Sequence, residues 1–87
     1  MDETRIGVVA IIIESPDVYV ARVNDILHDH ADMIVGRMGI PYRQRGVAVI
    51  ALTVDGTTDE IGAMTGKLGQ LKNVTVKTAL APQKMQQ

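Results

Sequence analysis

The chain has no cysteine, no phenylalanine and no tryptophan, and only two tyrosines and three prolines among its 87 residues. The missing cysteine excludes a disulfide framework and any thiolate nucleophile or ligand, and fits a reducing, cytoplasmic setting. No apolar run reaches the eighteen residues of a membrane span, and the opening Met-Asp-Glu lacks the basic start of a secretion signal. A formal net charge of −1 removes any general pull toward nucleic acid or an anionic membrane. The scarcity of aromatics means that the core must be aliphatic. A hydrophobic content of 46% is too high for disorder. The length makes one domain, 1–87, near the size at which a single core stabilises only marginally, with 81–87 a polar, frayed tail.

What is present is a clear succession of elements. Arg5 to Ile13 (RIGVVAIII) is dense in β-branched residues and reads as a strand. Ser15-Pro16-Asp17 offers a helix cap, a first-turn proline and a first-turn acid. Val20, Val23, Leu27 and His30 then share one helical stripe, with Tyr19 and Ile26 beside it. Asp32 to Met38 reads as a second, less regular strand, and Gly46 to Val54 as a third. Asp55-Gly56 is a turn pair. Thr57 and Glu60 have capping-box spacing ahead of a helix that buries Ile61, Met64, Leu68 and Leu71. Val74 to Leu80 alternates as a half-buried fourth strand. The order β-α-β-β-α-β predicts an α+β fold, a ferredoxin-like sandwich with a four-stranded antiparallel sheet and both helices on one face.

In that arrangement the first and third strands are central, and both are apolar on both faces. Ile6, Val8, Ala10 and Ile12 oppose Gly7, Val9, Ile11 and Ile13; Val47, Val49, Ala51 and Thr53 oppose Ala48, Ile50, Leu52 and Val54. Two helices cover one face only. At about 1.5–3 kcal/mol per fully buried side chain, covering the other is worth on the order of 10 kcal/mol before association costs. The expectation is a homo-oligomer, dimer or tetramer, closed through the helix-free side of the sheet.

The chemistry-bearing residues concentrate in "GRMGIPYRQRG", Gly36 to Gly46. Read as a connection between strands, it has Gly39 and Pro41 bending the chain and Arg37, Arg43 and Arg45 solvating its tip. Read as a recognition surface, the same arginines meet an anionic ligand or protein partner. Read as a nucleic-acid contact, they meet phosphates while Tyr42 stacks on a base. RNA-recognition sheets carry aromatics on their central strands, and here those positions are aliphatic. Gly36 and Gly39 match a G-x-x-G spacing, but at a strand rather than between helices. Gly66-Lys67 lies inside the second helix, one residue short of a phosphate loop and without its Ser or Thr. There Gly62, Gly66 and Gly69 thin the helix for close packing near Lys67. His28 and His30, two apart on a helix, point to opposite sides and cannot chelate one ion together, so no intrachain metal site is expected, though one shared between subunits stays open. Ser15 is the only serine and no carboxylates pair by pattern. No catalytic residue and no cofactor are expected, and the chain reads as a non-enzyme.

Several stretches carry a resemblance. "RIGVVAIII", "IVGRMGIPYR" with "RGVAVIALTVD", and "GAMTGKLGQLKNVTVKTA" resemble the family named as regulators of the iron-only hydrogenase system, over about Thr4 to Ala79. The resemblance implies an ACT-like fold, similar to the ligand-sensing domain of nickel-responsive regulators, and genetic company with iron-only hydrogenase maturation. Those regulators bind nickel through histidines and a cysteine and DNA through a preceding ribbon-helix-helix; the chain has no cysteine, and neither property is carried over. The combined expectation is an oligomeric regulatory or sensor module, associated with transcriptional control and acting through a small ligand or protein partner. Arg37, Gly39, Pro41, Tyr42, Arg43, Arg45 and Lys67 are the candidate contacts. Direct nucleic-acid binding and a structural assembly role are the alternatives.

Overall fold

The structure, a computed structural model, describes residues 3–82. β1 (Arg5–Glu14), α1 (Pro16–Asp29), β2 (Ile34–Tyr42), β3 (Val47–Gly56), α2 (Thr58–Gly69) and β4 (Val74–Leu80) follow in order, with short 3-10 turns at Ala31–Met33 and Arg43–Arg45. The strands form one antiparallel sheet ordered β2-β3-β1-β4. The two most β-branched strands are therefore central, as the ferredoxin-like reading requires.

One face of those strands makes the core. Val9, Ile11 and Ile13 of β1 and Ala48, Ile50, Leu52 and Val54 of β3 are buried against Val23 and Leu27 of α1 and Ile61, Met64 and Leu68 of α2. The core is aliphatic, with Met64 filling between branched neighbours. Gly7 completes the β1 row. A Cβ there would sit 2.6 Å from Leu80 Cδ2 and 2.8 Å from the carbonyl oxygen of Ala79. Backbone cannot yield as a flexible side chain would, so the strands approach this closely only over a glycine.

The helix starts differ from each other. Thr57 and Glu60 form the expected capping box: the Glu60 N–H donates to Thr57 Oγ1 at 3.1 Å and the Thr57 N–H to Glu60 Oε1 at 2.8 Å. The bond from the Thr57 backbone, then that involving its side chain, holds the Glu60 carboxyl below its ordinary range. Ser15 does not cap α1 with its side chain. It takes a left-handed conformation, φ 53°, and only its carbonyl serves the helix, accepting from Val18 N–H at 3.1 Å. The sharp exit from β1 occupies the residue that a side-chain cap would need extended.

Four boundaries move from their expected places. Asp55 and Gly56 continue β3, paired with Ile6 and Arg5, rather than turning. Asp32 lies in a 3-10 turn ahead of β2. His30 lies one residue beyond α1, as its C-cap, rather than on its buried stripe. The largest change is at Gly36 to Gly46. Gly36 to Tyr42 is strand, paired from Gly36 with Thr53 to Tyr42 with Val47, and only Arg43 to Gly46 turns. Gly39 and Pro41 bend nothing, because an edge strand tolerates a proline whose nitrogen faces away from its neighbour. The tail is tied at its start: Ala81 donates to the carbonyl of Ile6 at 2.8 Å and accepts from Arg5 at 2.9 Å, while 83–87 lie outside the described residues.

Two stability outcomes follow from these contacts. Gly7→Ala destabilises the fold by about 1–3 kcal/mol in denaturant unfolding, through overpacking against β4. Thr57→Ala costs about 1 kcal/mol and relieves only the smaller, side-chain part of the Glu60 lowering, since alanine keeps the backbone N–H, a partial upward move seen by NMR titration. Because Glu60 is depressed in the folded state, the cap's contribution is full above the ordinary carboxylate range. It fades as pH falls through the lowered value.

Candidate functional site

The edge strand β2 separates its residues by alternation. Arg37, Gly39 and Pro41 pair with the core row Leu52, Ile50 and Ala48, so they share the helix side of the sheet. Met38, Ile40 and Tyr42 pair with Ala51, Val49 and Val47 and share the open side. The candidate contacts thus divide between two surfaces, Tyr42 parting from Arg37, Gly39 and Pro41.

On the helix side, α1 stands beside β2 and leaves a groove between them. Arg37 reaches across it and donates to Asn24 Oδ1 at 2.7 Å, strapping β2 to α1. On one side of the strap is a hollow of about 600 Å³, bordered by Asp25, His28, Ala31 and Ile34. On the other is one of about 820 Å³, where Asp17 on α1 and Arg43 at the turn border an apolar floor of Val20, Pro41 and Ala48. Arg37 is shared with the first hollow and Arg43 with the second. The groove therefore offers guanidinium groups on the β2 side and Asp17, Asn24, Asp25 and His28 on the α1 side. Such walls suit a small ligand or peptide bearing a carboxylate or phosphate toward β2. Arg45 is exposed in the turn.

Lys67 does not join the arginines. Its ammonium on α2 is 3.2 Å from His30 Nε2, just beyond the end of α1. Donation by Lys67 requires a neutral imidazole with its proton on Nδ1. Among the described residues no three of His, Asp and Glu gather as a metal-binding group. Gly62, Gly66 and Gly69 open onto space on α2, where an added Cβ would meet nothing within 4 Å.

The open side gathers more than the central strands supply. Ile6, Val8, Ile12, Met38, Ile40 and Tyr42 remain between 42% and 62% exposed. Ala10, Val47, Val49 and Ala51 lie between them by register, with Lys77 of β4 opposite Ala10. Met38 and Ile40 are residues that the sequence reading left out of this surface. Their alternation with Arg37, Gly39 and Pro41 is visible in the sequence but was overshadowed by the glycines and proline read as turn formers.

The TM1266-like family model, described as "Iron-only hydrogenase system regulator, putative", matches residues 5–78. The chain belongs to this family. The solved structure of the uncharacterized protein TM1266 from Thermotoga maritima is similar at TM-score 0.88 and 36% identity, covering 92% of this chain and 100% of that one. A formyltetrahydrofolate deformylase from Pseudomonas putida KT2440 is similar at TM-score 0.63 and 13% identity, over 88% of this chain but 29% of that one, which shows shared fold alone. No curated protein matches the chain significantly. Members of the TM1266-like family thus share this βαββαβ sandwich, and a regulatory role is what the family is described by.

The turn that presents Arg43 and Arg45 closes through Gly46 at φ 68°, a left-handed position. Gly46→Ala costs about 1 kcal/mol from backbone strain, measured by urea unfolding.

Proposed function

We propose that this TM1266-like chain is a non-enzymatic regulatory module of the iron-only hydrogenase system. It works as a homo-oligomer in the cytoplasm and responds to a small anionic ligand or an acidic protein surface. The observation that supports this is the groove between α1 and β2, where Arg37 borders one hollow and Arg43 the apolar-floored hollow on the other side of the strap. Gly39 keeps the strand thin there and Pro41 supplies part of the floor. Tyr42 belongs to the open face instead, and Lys67 to its contact with His30. Transcriptional control then acts through a partner that reads the groove.

A second copy is the occupant proposed for the open face. Six side chains about half exposed on each of two protomers hold on the order of 10–20 kcal/mol in their remaining apolar surface. Association costs about 4–15 kcal/mol, so the balance favours a dimer. Charge agrees with stacking: by register Lys77 lies on the β4 border of the face, while Glu14 and Asp55 lie toward opposite ends of the central strands. A twofold placing the ammonium of one copy near a carboxylate of the other leaves no like-charge clash.

Two measurements test the reading. Val8→Glu places a charge in the open face and lowers the oligomeric mass in sedimentation; an unchanged mass removes the stacking. Arg37→Glu with Arg43→Glu and Arg45→Glu keeps the oligomer and abolishes the thermal shift produced by a panel of phosphorylated and carboxylated metabolites, together with partner capture. Unchanged binding removes the groove from the proposal. Binding to DNA fragments that falls steeply with salt and is lost in the same variant assigns the arginines to nucleic acid.

A further inference from the structure

Met33, Met38 and Met64 lie among the described residues, and the fold treats them unequally. Met33 and Met64 belong to the core, 6% and 0% exposed, whereas Met38 is 62% exposed on the open face. No other sulfur lies on that face among the described residues.

Register places Met38 at the head of a row that crosses the whole sheet. Met38 pairs with Ala51, Ala51 with Ala10, and Ala10 with Lys77 on the far edge. One adjoining row is Ile40, Val49 and Ile12; the other is Gly36, Thr53 and Val8. Alanines stand lower than branched neighbours, so the middle row is a shallow trough. Met38 is its single bulky apolar member. A thioether suits that place, because an unbranched, flexible side chain fills the irregular gap between a trough and whatever covers it.

We propose that Met38 is an oxidation site whose state sets whether the open face closes, an inference that rests on the stacking of a second copy proposed above. The thioether sulfur attacks one oxygen of a hydroperoxide, and the S–O bond forms as the O–O bond breaks. Sulfur gives up two electrons; the departing oxygen takes a proton and leaves as water or an alcohol. The sulfoxide is polar and accepts hydrogen bonds, while Ile40, Val49 and Ile12 beside it offer no donor. Closing the face then strips water from that oxygen in both copies, which opposes association. The oxidant reaches Met38 on an open protomer, and the oxidised protomer closes less readily, so mass action drains the dimer. Reductases of methionine sulfoxide return the thioether and make the change reversible. Met33 and Met64 are shielded in the core, so the protomer keeps its fold while its assembly changes.

Treatment of the whole chain with hydrogen peroxide, followed by peptide mass mapping and sedimentation, tests the site. The expected result is a sulfoxide at Met38 with Met33 and Met64 still reduced. The mass falls toward one chain, and the dissociation constant rises about tenfold or more. Methionine sulfoxide reductases with a dithiol restore the mass. Met38→Leu keeps the apolar volume and every other methionine, and holds its mass through the same treatment. A higher protein concentration slows oxidation of Met38, because closure covers the sulfur. A Met38 sulfoxide with unchanged mass overturns the switch, and so does a Met38→Leu protein that dissociates as the wild type does. Met38 left reduced by a dose that converts free methionine overturns the site itself. Failure of the stacking is told apart without oxidant: an untreated wild type that sediments as one chain, or a Val8→Glu protein of unchanged mass, removes the second copy and the switch together. A Val8→Glu protein that loses mass, beside an oxidised wild type that does not, removes the switch alone.

Discussion

Everything in this molecule follows from two central strands that are apolar on both sides. An 87-residue chain has material for two helices, and two helices cover one side of a four-stranded sheet. The covered side is the protomer's own core, closed by Val23, Leu27, Ile61, Met64 and Leu68. The other side is left about half exposed at Ile6, Val8 and Ile12. Small domains bury a smaller fraction of their surface than large ones, and burial shared between copies offsets that handicap. The isoleucines and valines of the core and those of the open face alternate along the same two central strands.

The arginines act within this frame. Arg37 is held on the helix side by strand alternation and by Asn24, and Arg43 is placed at the mouth of the groove by a tight turn ending at Gly46. Neither position is demanded by the core. Arg37 lies on β2 and Arg43 just beyond its end, so both guanidinium groups lie along the edge of the sheet that also borders the open face. The Arg37–Asn24 bond ties α1 to β2, the strand on which the open face ends.

Most of the fold was legible because the chain signals its elements in conflicting periods: two for the strands, three and four for the helices. β-branched density marked β1 and β3, capping-box spacing marked α2, and alternation marked β4. The misreadings share a cause. Asp55-Gly56, Ser15-Pro16 and the Gly36–Pro41 stretch all carry residues that favour turns locally, yet two of the three are strand. Pairing with β1 and β3 satisfied their main-chain groups and outweighed a local preference of about 1 kcal/mol or less per residue. Ser15 failed oppositely: its type suited a cap, but the path out of β1 required a left-handed turn there. For the site, composition located the arginines but not their sides of the sheet, since that depends on a register set by long-range pairing. Asn24 and Asp17 border the groove from α1; the sequence marked Asp17 only as a first-turn acid and gave no signal for Asn24.

The poverty in aromatics has an optical consequence. With no tryptophan, the near-ultraviolet emission of the chain comes from Tyr19 and Tyr42 alone. Tyr19 is half-buried against the core, and Tyr42 is 45% exposed at the border between the open face and the β2 edge. The first ring reports the interior and the second reports whatever covers that border. The molecule is thus built with its own spectroscopic reporter of that border, readable without a label wherever the two tyrosines can be told apart.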